Sequence, residues 1–357
     1  MRDFVNRVLQ CSKRGANNGP PTFLEAAMPA MPSLTLPAAG PRVFSAGDLC
    51  KAMRTTRPAL PDASGLDRIL RHDAERGLLE VQSGTPWSAL AAHTGKAFAA
   101  GTVGASVAAN VAGPDGLPMV AHVRSITVAT ADGELRRASR ECAPALFHMA
   151  IGGCGAFGPF YSVTLELASL ARALARATPP LSLELPAPAP AGARFGIELL
   201  LPPQASERFV AQARAELDER RCRLARLEAR QTLAEEATFL RWARCEYAAL
   251  FIEFRTRDTV GGCVNGTELR ARLVELAIAA GGSLSPQYLP HATRAQAAHC
   301  YPMLGNFLAE KRRYDPAERV ADAWYRAVRD LWRREPCAAR WSRDQAGGAL
   351  ASGAPLA

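Results

Sequence analysis

The sequence predicts an α+β fold in two parts, and three observations carry that prediction. From 44 to 167, helical patterns alternate with short β-branched runs. A Pro/Ala stretch at 179–193 then interrupts the chain. Beyond it, apolar runs alternate again with longer helical patterns, a mixed α+β layer. A length of 357 residues leaves room for two such units.

Residues 1–43 read as a mobile leader, because Gly19-Pro20-Pro21 is followed by Pro29, Pro32, Pro37 and Pro41. Ser45 to Met53 is a helix with Ser45 as N-cap and Asp48 three residues on. Gly77 to Gly84 is a short strand. Pro86 opens a helix that runs to about His93 and stops at Gly95. His122 to Thr130 is a β-branched strand, and Ala131-Asp-Gly133 turns the chain back. Ala143 to Ala150 is a short helix and Phe160 to Leu167 another strand. The first unit therefore spans 44–178.

The second unit spans 194–336. Phe195 to Leu201 reads as a strand, Gln204 to Arg220 as a helix, and Cys245 to Arg255 contains a strand. Asn265-Gly266 reads as an ordinary turn ahead of a helix from Thr267 to Ala280, which Gly281-Gly282 closes. Helices follow at Arg294–Tyr301 and Pro316–Arg334. Residues 337–357 read as a flexible tail.

Composition narrows the function. Hydrophobic residues make up 48% and charged residues 22%, which excludes wholesale disorder. The net charge of +9 comes from Arg, since Lys13, Lys51, Lys96 and Lys311 are the only lysines. Those arginines are dispersed and aromatics are 7%, so a nucleic-acid groove is not expected. Nine cysteines show no zinc-ligand spacing and read as buried, reduced thiols of a cytoplasmic protein. The uncharged stretch between Glu141 and Glu166 is broken by Gly152, Gly153, Gly155 and Gly158, so no membrane span is expected.

Two glycine-rich stretches point to a ligand. Gly101 to Gly116 is almost free of bulky groups, so its backbone N–H groups can approach a pyrophosphate or a flat ring. The same pattern also fits a tight packing loop. It is not a GxGxxG turn after a strand, so a nicotinamide-binding unit is not supported. Gly152-Gly-Cys-Gly-Ala-Phe-Gly158 places four glycines in seven residues between a helix and a strand, which fits either backbone contact with a ligand or a bulged strand start.

The order of segments is specific. Arg68 to Gly84, the 101–116 loop, His122 to Arg136 and Leu146 to Gly158 resemble the FAD-binding domain of the vanillyl-alcohol-oxidase/p-cresol-methylhydroxylase (PCMH-type) flavoproteins. Within that group the chain looks most like the sugar-alcohol, aldonolactone and decaprenylphosphoryl-ribose oxidases. Tyr301 to Pro316, with Lys311 ahead of Asp315-Pro316, is similar to the group's closing signature.

The resemblance implies a PCMH-type FAD-binding domain with a substrate domain whose sheet lies over the flavin. It implies cofactor contacts at Gly101, Thr102, Gly104, Ser106, Asn110 and Gly113, at His122 and Val123, and at Gly152, Gly155 and Gly158. It puts Lys311 at the flavin edge where negative charge develops on reduction; a solvated basic run with Arg312 and Arg313 is the alternative. The segment carrying Tyr288 and His291 would run through the substrate pocket, with His291 as a base on an alcohol or as a structural histidine. Arg230 and Arg241 would bind a polar or anionic substrate or lie in solvent.

One departure affects the cofactor. The family's phosphate-binding loop would follow the first helix, but Arg54 to Gly65 runs straight on to Leu66, and roughly 30 residues of a compact two-subdomain layout are absent. The first subdomain is therefore expected to be truncated. No histidine lies between Lys51 and Arg71, so FAD is expected to be held non-covalently. The expected function is FAD-dependent oxidation of an alcohol group on a small sugar-like substrate. The alternative is a degenerate, non-catalytic relative acting as a binding protein, or a truncated gene product.

Overall fold

Apolar and hydroxyl-bearing side chains alternate along 123–129 and 160–166, which suits strands with one apolar face. The computed structural model describes residues 40–55, 60–178, 181–184 and 192–333. The leader up to residue 39 and the tail from 337 lie outside the described residues.

The first sheet contains β1 (Ile69–Asp73), β2 (Leu78–Gln82), β3 (Val123–Ala129), β4 (Leu135–Ser139) and β5 (Phe160–Glu166). Its order is β1-β2-β5-β3-β4, antiparallel throughout. The β3–β4 turn forms where expected: Thr130 N–H donates to Glu134 O at 2.9 Å and Gly133 takes φ +79°. Five short helices surround this sheet: α1 (Ala46–Thr55), α2 (Ala91–Thr94), α3 (Val103–Ala108), α4 (Pro144–Ala150) and α5 (Leu167–Ala175). Ser45 Oγ accepts from Asp48 N–H at 3.1 Å, the expected cap of α1.

The second sheet contains β6 (Leu181–Glu184), β7 (Arg194–Leu201), β8 (Arg223–Thr232), β9 (Tyr247–Arg255) and β10 (Ser283–Leu284), ordered β10-β7-β9-β8-β6 and again antiparallel. The register gives it two unlike faces. Ile197, Leu199, Leu227, Ala229, Leu250 and Ile252 share one, under α6 (Ser206–Glu219) and α7 (Val260–Ala279). Glu198, Arg226, Glu228, Arg230 and Glu253 share the other. The chain closes with α8 (Arg294–Cys300), α9 (Leu304–Tyr314) and α10 (Ala323–Arg333).

Several local expectations are corrected. Asn265-Gly266 is not a turn but lies inside α7, which starts at Val260 under a Thr259 cap. Gly266 is there because a Cβ would run into the Phe195 ring. The segment after Pro86 is a 3-10 turn, Trp87–Leu90, followed by α2, not one helix. The helix placed at 316–334 spans 323–333, and α9 was not anticipated. Residues 181–184, in the stretch read as a break, add the edge strand β6. All seven described cysteines are free, but only Cys222 and Cys300 are buried, so the expectation of generally buried thiols does not hold.

One apolar core runs through both sheets, from Leu79 and Val163 to Leu250 and Phe307. A second, small core holds α1: Val43, Leu49, Ala52, Met53 and Leu66 meet Ala129, Ala131 and Val320. Next to Val320, the Arg319 guanidinium donates to the carbonyls of Met53 at 2.9 Å and Arg54 at 2.6 Å, capping the C-terminus of α1 from the far end of the chain.

Candidate functional site

Three segments converge on the C-terminal end of β8. Leu233 N–H donates to Gly116 O at 2.8 Å, Trp242 Nε1 to Asn110 O at 3.0 Å, and Phe239 N–H to His148 O at 2.8 Å. The 152–158 loop meets the closing helices through Phe157, whose ring lies 5.5 Å from that of Phe307 and 5.6 Å from that of Tyr314. Thus both glycine-rich stretches, the polar end of the second sheet and α9 form one neighbourhood.

The glycines within it are of two kinds. A Cβ on Gly104 would sit 2.7 Å from Ser83 O, one on Gly113 2.9 Å from the Phe98 ring, and one on Gly158 against Ala129 O. These three are required by close packing of the protein on itself. Gly101 (φ +76°) and Gly155 (φ +80°) instead have nothing within 4 Å of that position, so their backbone faces open space. Gly152 takes φ +74° and lies against the Asn110 side chain.

Asn110 is the most telling polar residue here. It is fully buried in a left-handed conformation at φ +48°, and its Oδ1 accepts from Val120 N–H at 2.9 Å. Its Nδ2 has no partner, and neither has the buried Ser83 Oγ on the strand end beside Gly104. A buried donor without an acceptor is costly unless a ligand supplies one. Two unused polar groups and two open glycines suit the carbonyl and phosphate oxygens of a flavin nucleotide.

Ser106 and Thr102, also expected at the cofactor, have their hydrogen bonds within the protein, whereas the buried His122 Nε2 has none. Ser106 Oγ accepts from Trp87 Nε1 at 2.9 Å and donates to Thr102 O at 3.1 Å, while Thr102 Oγ1 caps α3. Val123 is buried at the start of β3. His122 lies in a buried cluster: Nδ1 is 2.8 Å from Ser169 Oγ, Nε2 is 3.7 Å from Asp115 Oδ1, and Phe98 packs edge-on. Asp115 and Ser169 were not visible as its partners in the sequence, because they are 7 and 47 residues away.

Lys311 is 0% exposed, so it is not part of a solvated basic run. Its Nζ bonds Asp315 Oδ2 at 2.5 Å and lies 5.1 Å from the centre of the Tyr325 ring. Burial works to raise the Asp315 carboxyl, but Lys311 and the N–H groups of Arg319 and Val320 outweigh it and hold the pKa below the usual range. Lys311 therefore anchors the turn that carries Arg319 and Val320 to α1.

On the polar face of the second sheet, Glu198 is 8% exposed and pairs with Arg230 at 2.5 Å, while Ser285 Oγ donates to its other oxygen. Beside them Tyr288 is 6% exposed and its hydroxyl has no partner. Burial, and then the Glu198 charge, push its pKa up, so it remains a neutral donor. His291 ends the same 3-10 turn and is exposed at its edge; protein packed around its ring and then the Arg270 charge draw its pKa down to about 4. Arg241 is exposed and donates to Glu236 O. The sequence pointed to Tyr288, His291 and Arg230, but missed Glu198 and Ser285, which reach them only through the pairing of β10 with β7.

No match is found among the curated proteins. Among the described residues no helix is long and apolar enough to cross a membrane, and no group of three or more His, Cys, Asp or Glu could hold a metal ion. Residues 59–139, from the approach to β1 through β4, match the family described as FAD binding domain, and FAD is the cofactor that this match indicates.

Proposed function

We propose that the chain is a cytoplasmic, PCMH-type flavoprotein oxidoreductase that oxidises an alcohol group of a small, sugar-like substrate with non-covalently held FAD. The carrying observation is that β8, which bears Arg230, runs directly into a segment bonded to the first glycine-rich stretch at Asn110 and Gly116 and to His148 ahead of the second, with Glu198 and the unpartnered Tyr288 hydroxyl beside Arg230. When bound, FAD supplies the hydride acceptor. Asn110 Nδ2 and the backbone at Gly101 and Gly155 hold and orient it. Tyr288 donates to a substrate hydroxyl, and His291, uncharged at neutral pH, takes the alcohol proton. Anaerobic mixing of the yellow holoprotein with polyols and aldoses tests this: at least one should bleach the flavin band.

A second reading is favoured by the chain ahead of β1. Among the described residues it consists of α1, one 3-10 turn and the single parallel bridge between Arg42 and Asp62. A first subdomain so reduced suits a non-catalytic relative that keeps a binding role, or a truncated product. A protein that binds FAD in calorimetric titration but whose flavin no alcohol reduces would favour this reading.

A further inference from the structure

Counting rows away from the cofactor lobe, the polar face of the second sheet interleaves charges of both signs. Arg230 stands in the row with Ala249 and Leu200; Glu228 and Glu198 flank Phe251 in the next; Arg226 and Glu253 stand beside Gly196 in the third. Three ion pairs tie these rows together: Arg230 with Glu198, Arg226 with Glu228, and Glu253 with Arg194 at 2.9 Å, while Arg223 and Arg255 stand in the outermost row beside Arg194. The two glutamates nearest the lobe are also the most deeply buried, at 8% for Glu198 and 5% for Glu228. A buried carboxylate is costly to keep unless it neutralises a neighbour.

From this pairing we infer that Glu198 is a specificity-determining residue: by holding Arg230 in a closed ion pair it cancels that charge on the substrate face, so that the site selects uncharged polyhydroxy compounds over their carboxylate analogues. This rests on the substrate reading given above. The sequence alone left Arg230 free to bind an anion. In the structure one Glu198 oxygen takes the guanidinium and the other takes Ser285, leaving Arg230 little charge to offer. With Arg230 held, Arg270 is the cation left beside Tyr288 and His291, and the Tyr288 hydroxyl is the clearest unused hydrogen-bond donor.

The test uses three probes of one chain length: sorbitol (neutral), gluconate (anionic) and glucamine (cationic). Their binding to the FAD-loaded protein is measured by calorimetry and their reduction of the flavin by anaerobic stopped flow. The wild type should prefer sorbitol to gluconate by tenfold or more. Glu198→Gln exposes Arg230 and should shift the gluconate-to-sorbitol ratio toward gluconate by at least tenfold. Arg230→Gln exposes Glu198 and should shift the ratio toward glucamine. Opposite shifts in the two variants support the inference, and either one suffices if the other variant does not fold. Unchanged ratios in folded variants, or a wild type that prefers gluconate, overturn it. If no probe reduces the wild-type flavin, the oxidase reading fails, while the binding ratios still decide the charge inference. Absence of binding by all three would overturn both.

Discussion

The two sheets share strand number and antiparallel pairing, yet their polar faces differ in kind. In the first, hydroxyls pair with one another: Ser125 with Thr164 at 3.0 Å, and Ser162 with Thr127 at 3.1 Å and with Glu80 at 2.7 Å. In the second, the face is built of arginines and glutamates, and Tyr288 and Ser283 next to it keep hydroxyls with no partner. A face whose groups satisfy each other has nothing left to offer a ligand. A face with buried charge and unused hydroxyls has been left incomplete by the protein alone. On the function proposed above, the first sheet serves as scaffold and the second as recognition surface.

Four substitutions break or sharpen that contrast. The largest effect is expected for Gly158→Ala in the scaffold, where a Cβ would collide with Ala129 O and φ is +127°. It should cost about 4 kcal/mol or more in urea unfolding, by overpacking plus backbone strain. A loss below about 1 kcal/mol would mean that the loop ahead of β5 is pliable. Next, Lys311→Ala strands the buried Asp315 carboxylate and should cost about 3–5 kcal/mol. Such a loss marks Lys311 as structural charge, unlike the charges on the second sheet; a variant with wild-type stability but slower flavin reduction would return it to the cofactor.

Ser162→Ala removes a hydroxyl that serves two partners and should cost about 1–3 kcal/mol. FAD content and substrate preference should not change, as befits a scaffold. A shift in preference would blur the division between the sheets. Tyr288→Phe is the converse: its hydroxyl has no partner to lose, so the unfolding midpoint should hold or rise, within about 1 kcal/mol. Its apparent KM for an alcohol substrate should rise instead. A clear loss of stability with unchanged KM would make Tyr288 part of the scaffold.

The first sheet was legible in the sequence because its cues are local. The Ser45 cap, the Asp132-Gly133 turn and the alternation in β3 and β5 all act over fewer than about eight residues. Edge strand β1 was missed because its side chains are mostly exposed, which leaves no apolar period. Strand β8 was missed because Arg and Glu occupy the positions on its polar face, so it resembles a solvated segment. The glycine-rich stretches stood out in the sequence, but not which glycines serve packing, since that depends on Ser83, Phe98 and Ala129. Lys311 stood out as a rare residue, while its partner Asp315 was legible only as part of a motif and not as an ion pair.

The Arg319 clamp has a consequence for how the chain comes into being. Among the described residues only Arg319 donates to the Met53 and Arg54 carbonyls that end α1, across 266 and 265 residues of sequence, and Val320 beside it closes the small core. On the ribosome α1 emerges early but has no stable place to dock until nearly the whole described chain has been made. Contacts of such long sequence separation form late and slow folding. The first of the described helices is thus among the last to be secured, and its docking reports that the segment around Arg319 and Val320 has arrived.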